Sequence, residues 1–303
     1  MSDFTNDFWS WYVAGLTLVS IIACAVLLWI SGTTKVKAHA DNTTGHVWDG
    51  DLQELNNPLP KWWVYLFIIT VIFALAYGLL YPMFGQYKGA LGWSSQGQHT
   101  AEVKKMQEAI APIYAAFRSQ APDQLAGDAQ AMAVGERLFQ NNCAQCHGSD
   151  ARGARSFPNL TDGDWLYGGT PADIKTTLME GRNGMMPPMA AAVGSAEDVR
   201  NLAHYVLSLS GSPHDSVKAA VGKGKFGACA ACHGMDGKGN TAMGAPNLTD
   251  NTWLHGWGEE AVVKAITNGF SNQMPSQATK LNADQIHVLT AYVWGLSNKP
   301  AAR

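Results

Sequence analysis

Four of the five cysteines in this 303-residue chain fall in two short units, Cys143-Ala144-Gln145-Cys146-His147 and Cys229-Ala230-Ala231-Cys232-His233. Two thiols three positions apart, followed at once by an imidazole, form the spacing used to attach haem c covalently. The thioethers fix the macrocycle and the adjacent histidine reaches the iron. A thiol pair beside a chance histidine could explain one such unit. A second unit with the same downstream pattern argues against it. Cys143, Cys146, Cys229 and Cys232 are therefore the expected attachment residues of two haem c groups, and His147 and His233 the expected proximal ligands. Attachment needs reduced thiols and machinery that works outside the cytoplasm, so the haem half is expected in a periplasm or its equivalent.

A sixth ligand decides whether such an iron carries electrons or binds small molecules. Met186 and Met274 each precede a proline, and each lies about 40 residues after its histidine. A thioether opposite histidine raises the reduction potential. Both methionines occupy matched repeat positions, so both are expected as ligands, in the simplest pairing Met186 with His147 and Met274 with His233. Met185, Met189 and Met243 are neighbouring rivals without a matched partner. Trp165 and Trp253 are repeated and expected to pack on the haem or offer a propionate an N–H. Arg155 and Arg182 are either propionate partners or solvated. The remaining histidines, His39, His46, His99, His204, His214, His255 and His287, lack matched ligand spacing and read as surface or hydrogen-bonding groups. Cys24 reads as a small residue within an apolar run.

The segments that position these residues repeat. The cysteine units are offset by 86 residues. Pro158-Asn159-Leu160-Thr161-Asp162 recurs as Pro246-Asn247-Leu248-Thr249-Asp250, and Met186-Pro187 as Met274-Pro275, at an offset of 88. Two domains are expected, 131–211 and 217–300. Each should hold a short helix ending on its histidine, a Gly/Pro loop, a helix near Pro171–Glu180 or Glu259–Thr267, the Met-Pro loop, and a closing helix. The closing helices show Val199, Leu202, Val206, Leu209 and Ile286, Leu289, Val293, Leu296 at steps of 3, 4 and 3. Ser195 with Asp198, and Asn282 with Gln285, read as capping pairs. No strand pattern stands out, so the fold is expected to be mainly α, with buried haem supplementing small protein cores.

Charged residues make up only 15% of the chain, and Trp occurs 11 times. Net charge is −3, which gives no argument for nucleic acid. Phe8–Ile30 and Trp62–Phe84 are uncharged apolar runs long enough to cross a hydrocarbon core of about 30 Å. Both begin with the aromatic residues expected at a bilayer interface. The residues before the first run include Asp3 and Asp7 and no Lys or Arg, unlike the basic start of a signal peptide. Residues 1–92 are thus an expected anchor with two transmembrane helices, at about 8–30 and 62–84. Lys35, Lys37 and Lys61 place the loop between them in the cytoplasm and both flanks outside, in agreement with the haem argument. Residues 93–130 form a helical tether. Its apolar positions Val103, Met106, Ile110, Ile113 and Phe117 are expected to cover a partner subunit or the first haem domain. Residues 131–211 hold six Lys/Arg against eight Asp/Glu, and 217–303 hold eight against five, a weak indication that a partner docks on the second domain.

The order of helix, C-x-x-C-H, loop, Met-Pro and closing helix resembles class I cytochrome c. The segment from His46 through Trp48-Asp49-Gly50-Asp51 to Pro60-Lys61-Trp62-Trp63 resembles, more specifically, subunit III, the FixP/CcoP family, of cbb3-type cytochrome c oxidases. Many family members have one span where this chain has two. The resemblance implies two N-terminal transmembrane helices followed by two tandem class I cytochrome c domains. It implies a multi-pass protein of the bacterial inner membrane with its haem domains in the periplasm. Electrons would pass from a soluble or membrane-bound cytochrome c donor through two His/Met haems to the monohaem cytochrome subunit and the haem–copper catalytic subunit. The chain would have no oxygen-reducing site of its own. It also implies that each methionine could reach the other domain's iron. Rival readings are a dihaem peroxidase, a haem-based sensor, and a cytochrome subunit of another membrane dehydrogenase.

Overall fold

The computed structural model describes residues 6–33 and 40–298. Lys35, Lys37 and His39 lie outside them. The chain divides into two compact units, 1–109 and 110–303.

The first unit is built on α1 (Asp7–Thr33) and α2 (Lys61–Leu80). At about 1.5 Å per residue both are long enough to cross a bilayer, and the most apolar 18-residue stretch of each has a mean hydropathy of 2.6 and 2.3. The second helix stops four residues before the expected Phe84. Tyr81 is extended, with φ −116° and ψ 160°, because Pro82 disfavours helical backbone at the residue before it. Beyond it the Gln86 N–H donates to Ser10 Oγ at 2.8 Å and its side-chain amide to Asp7 Oδ1 at 2.7 Å. The start of α1 and the end of α2 therefore lie together. Between the two helices, β1 (Thr43–Trp48) and β2 (Leu52–Leu55) form an antiparallel hairpin. It was not legible from hydrophobic alternation, although Asp49-Gly50 is a recognised hairpin-turn signal. Helix α3 (Ser95–Arg118) follows, with Pro112 inside it.

The second unit begins with the last turns of α3 and the short α4 (Pro122–Leu125). The first repeat then supplies α5 (Ala129–Asn142), α6 (Ala144–His147), α7 (Pro171–Glu180), β3 (Arg182–Met186), α8 (Ala190–Val193) and α9 (Ala196–Leu209). The second supplies α10 (Ser216–Lys223), α11 (Gly227–His233), α12 (Glu259–Asn268), β4 (Phe270–Met274) and α13 (Ala283–Ser297). The helices begin where the sequence provides caps. Ser195 with Asp198 and Asn282 with Gln285 form the expected reciprocal capping boxes, and Thr170 with Asp173 forms a third.

Each hydrophobic core draws on both repeats. Phe139, Ile174 and Leu178 of the first repeat pack with Leu281, Ile286, Leu289 and Val293 of the second. Phe226, Val262 and Ile266 of the second pack with Val199, Leu202, Val206 and Leu207 of the first. The closing helices are exchanged: α13 lies on α5 and α7, and α9 lies on α10 and α12. A glycine marks each crossing. A Cβ on Gly135 of α5 would stand 2.5 Å from Tyr292 Cβ on α13, and one on Gly222 of α10 would overlap the Asn201 carbonyl oxygen on α9. The connection between repeats favours this. Only Ser210 to Asp215 separate α9 from α10, and so short a link makes consecutive helices neighbours. The closing helix of the first repeat is thereby taken by the second, and α13 is left for α5.

The exchange is closed by a feature absent from the expected all-helical outline. Strands β3 and β4 pair antiparallel, with Arg182 opposite Met274, Gly184 opposite Asn272 and Met186 opposite Phe270. The 88-residue offset relating the repeats maps Arg182 onto Phe270 and Met186 onto Met274, so the ribbon is symmetric about its centre. Its polar, glycine-containing sequence carries no local strand signal; pairing with a distant segment makes it a strand. The last turns of α3 pack within the second unit, on the helix contributed by the second repeat. Phe117 is buried with Val288 and Ala291, Arg118 pairs with Asp284 at 3.1 Å, and His287 Nε2 donates to the Gln120 carbonyl at 3.0 Å. Met106 stays exposed.

Candidate haem centres

Each cysteine unit is carried by a helix that ends on its histidine. The first runs through α6 to His147 and the second through α11 to His233. Gly148 and Gly234 follow with φ 78° and 76°, turning the chain away so the imidazole faces inward. Both histidines are buried. His147 Nδ1–H donates to the Pro158 carbonyl at 2.9 Å and His233 Nδ1–H to the Pro246 carbonyl at 3.0 Å. That bond fixes the tautomer and ring orientation and leaves Nε2 available to bind a metal. Pro158 and Pro246 open the repeated Pro-Asn-Leu-Thr-Asp segments, which is one physical reason for that repeat.

The motif cysteines differ in exposure: Cys143 is buried, Cys229 and Cys232 are half-buried and Cys146 is exposed. Cys143 is buried and its thiol is pushed up to about 11, first by burial and then by Cys146 beside it. Cys229 is raised for the same reasons, burial and then Cys232. The burial of Cys143 and Cys229 suits thioethers, whereas a redox-active pair needs a stabilised thiolate.

Met274, at the end of β4, packs against the core that contains Cys143, Leu160 and Trp165. A methionine of the second repeat thus lies against the core that includes Cys143. Met186 occupies the equivalent half-buried place at the end of β3. Backbone bonds repeat the exchange on both sides: Gln277 N–H donates to the Leu178 carbonyl, and Met189 N–H to the Ile266 carbonyl, each at 2.8 Å. Among the rivals, Met185 is 79% exposed and Met243 55%. Met189 packs against the second core, but its repeat equivalent is Gln277, which cannot supply a thioether.

Trp253 packs against the second core and its indole N–H is buried without a protein partner, as is the Tyr167 hydroxyl. Buried donors are seldom left unpaired, so both fit an absent acceptor such as a haem propionate. Inward-facing imidazoles with a free Nε2, apolar thiols, methionines and orphaned donors together fit haem c.

The two arginines are engaged by protein. Arg182 Nε donates to Thr177 Oγ1 at 3.0 Å and its guanidinium lies 4.9 Å over the Tyr167 ring. Arg155 Nε donates to the His255 carbonyl at 3.1 Å. His255, read as a bland residue, sits between the repeats. It stacks on Phe270 at 3.8 Å, and its ring nitrogens lie 3.1 Å from Ser156 Oγ and 3.2 Å from Asn272 Nδ2. Burial and then Arg155 lower its pKa. His204 is buried where α9 meets the second repeat. Its Nδ1 accepts the Asp215 N–H at 3.1 Å, and Nε2 lies 3.3 Å from Glu259. Their roles between repeats were invisible while each repeat was treated alone.

Comparison with known proteins agrees with this geometry. Residues 40–88 match the family model of the N-terminal domain of cytochrome oxidase-cbb3, FixP. Residues 130–206 and 218–293 match that of cytochrome c oxidase, cbb3-type, subunit III. The chain is 61% identical to the cbb3-type cytochrome c oxidase subunit CcoP of Rubrivivax gelatinosus, over 98% of this chain and 97% of the relative. It is 40% identical to subunit FixP of Azorhizobium caulinodans, over 84% and 93%, and 36% identical to subunit CcoP of Cereibacter sphaeroides, over 87% and 97%. Its apolar helices, duplicated cysteine–histidine units and long-range identity make this chain a member of the cbb3-type cytochrome c oxidase subunit III family, the FixP/CcoP subunits.

Proposed function

We propose that this chain is a membrane-anchored conduit whose residues would hold two haem c groups, each through a histidine of one repeat and a methionine of the other. One is attached to Cys143 and Cys146 and held between His147 and Met274. The other is attached to Cys229 and Cys232 and held between His233 and Met186. The observation that carries the crossing is the seat of Met274 in the Cys143 core. When bound, haem iron gains and loses one electron. The protein's part would be to supply a histidine and a methionine to each group from a packed core, so that little rearrangement accompanies the change in charge. At opposite ends of the ribbon, four residue steps apart, the Met186 and Met274 Cα atoms are separated by about 14 Å. The ribbon thereby fixes the spacing of the two centres. Trp253 and Tyr167 offer their unpaired donors to propionates.

In this reading residues 1–92 anchor the chain, 93–130 tether it, and the repeats 131–211 and 217–300 carry the haems. The protein is a multi-pass component of a bacterial inner membrane with the repeats in the periplasm. The meeting of the start of α1 with the end of α2 supports a shared side for both. Electrons arrive singly from a soluble or membrane-bound cytochrome c donor and leave to the monohaem subunit and then the oxygen-reducing haem–copper subunit.

Reduced-state optical spectra with added carbon monoxide test this reading. Two low-spin haems that ignore carbon monoxide are expected. Strong binding by one intact haem would replace the conduit with a sensor or peroxidase.

A further inference from the structure

The haem centres leave one exposed surface without a role. The β1–β2 hairpin lies between the two apolar helices, with only Asn56 to Pro60 separating it from α2. Asp49 and Gly50 form its turn with φ 51° and 90°, and the Asp51 N–H donates to the Trp48 carbonyl at 3.3 Å. Trp48 pairs with Leu52. The period of two along β2 puts both on the face of Glu54, which accepts from Thr44 at 3.0 Å and lies 3.2 Å from His46 Nδ1, across a register shift in β1 between Thr43 and Val47. Val47 and Leu55 belong to the other face. Trp48 is 62% exposed, Leu52 60%, Leu55 58% and Val47 53%. A lone two-stranded hairpin is marginal in water, and large apolar side chains bared on both faces mark a surface that something covers.

Charge identifies the kind of cover. Residues 40–60 hold Asp41, Asp49, Asp51 and Glu54 and no Lys or Arg. On the proposed topology this hairpin is at the cytoplasmic surface, where anionic headgroups repel acidic segments. Cytoplasmic loops of polytopic membrane proteins instead carry an excess of Lys and Arg. We propose that the hairpin docks on the basic cytoplasmic loops of a polytopic membrane subunit of the oxidase. Trp48 and Leu52 fill the apolar centre of that contact, and Asp49 and Asp51 meet its basic rim. The proposal rests on the topology and assembly given under the proposed function. It assigns the hairpin the task of registering this chain on its partner from the side opposite the haems.

The test uses the full chain expressed with the rest of the oxidase. Trp48→Ser with Leu52→Ser, and separately Asp49→Lys with Asp51→Lys, are each expected to lower the recovery of the oxygen-reducing subunit with this chain by about tenfold or more. Covalent haem and membrane insertion of the chain should be unchanged. Wild-type recovery in both variants overturns the proposal. A Gln53→Cys variant separates the two ways of failing. Labelling of the introduced thiol from the periplasmic side by an impermeant maleimide would overturn the topology. Cytoplasmic labelling with undiminished recovery would overturn the docking alone. In vesicles of phosphatidylethanolamine and phosphatidylglycerol holding this chain by itself, a fluorophore on the same thiol should report water. A lipid-buried signal would assign the hairpin to the membrane instead.

Discussion

Met274 stands opposite Arg182 across the β3–β4 ribbon and packs against the core that contains Cys143. Crossed ligation predicts an asymmetric response in a chain carrying only the haem on Cys143 and Cys146. Met274→Ala should abolish that haem's low-spin spectrum and open it to carbon monoxide, while Met186→Ala should leave it unchanged. The opposite pattern would restore ligation within each repeat. In the intact chain, Met189→Ala should leave both spectra unchanged.

Because neither core belongs to one repeat, neither repeat should fold by itself. A chain ending after Ser212 keeps α9 but loses Phe226, Val262 and Ile266, on which that helix packs. It should lose the cooperative thermal transition and the Met-ligated spectrum of its remaining haem. Co-expression with residues 213–303 should restore both, since an exchanged element uses the same contacts whichever chain supplies it.

The glycines at the helix crossings should resist substitution. Gly222→Ala places a methyl against the Asn201 backbone, and Gly135→Ala one against Tyr292. Overpacking of this kind costs about 1–3 kcal/mol, with Gly222 at the upper end because backbone yields less readily than a side chain. Denaturant titration of the holoprotein reads the difference. Equal stability to wild type would mean that the helices cross elsewhere.

Trp253→Phe distinguishes an occupied donor from an orphan. If the indole N–H serves a charged propionate, its loss should destabilise the holoprotein by about 1.5–3 kcal/mol. If the N–H is unpaired even with haem bound, phenylalanine should be neutral or stabilising.

Asp198 gives the cap of α9, and through Lys225 one contact between the repeats, a pH dependence. Its carboxylate is held at about 2, chiefly by the backbone and hydroxyl of Ser195 and then by Lys225, which lies 3.1 Å away in the second repeat. Its unfolded value is near 4. The native state therefore binds fewer protons between these values. The stability this group contributes is complete above about pH 5 and declines as pH falls through 4 towards 2. Asp198→Asn should lower stability at neutral pH and flatten that acid limb. An unchanged acid limb in the variant would show that Asp198 is not the group whose protonation weakens the fold there.

The sequence by itself determined what depends on local spacing. A cysteine pair beside histidine, an 88-residue recurrence, two apolar runs and the capping pairs at Ser195 and Asn282 each report on residues near one another along the chain. The helices carrying the ligands followed from these patterns, and so did the identities of His147, His233 and the four cysteines as candidates. Tertiary structure decided which closing helix completes which core. The repeats present nearly equivalent surfaces, so α9 and α13 could each satisfy either one, and periodicity is blind to the choice. The six-residue link between Leu209 and Ser216 and the pairing of β3 with β4 break that degeneracy. Those same two features turned His204 and His255 from unremarkable histidines into contacts between the repeats.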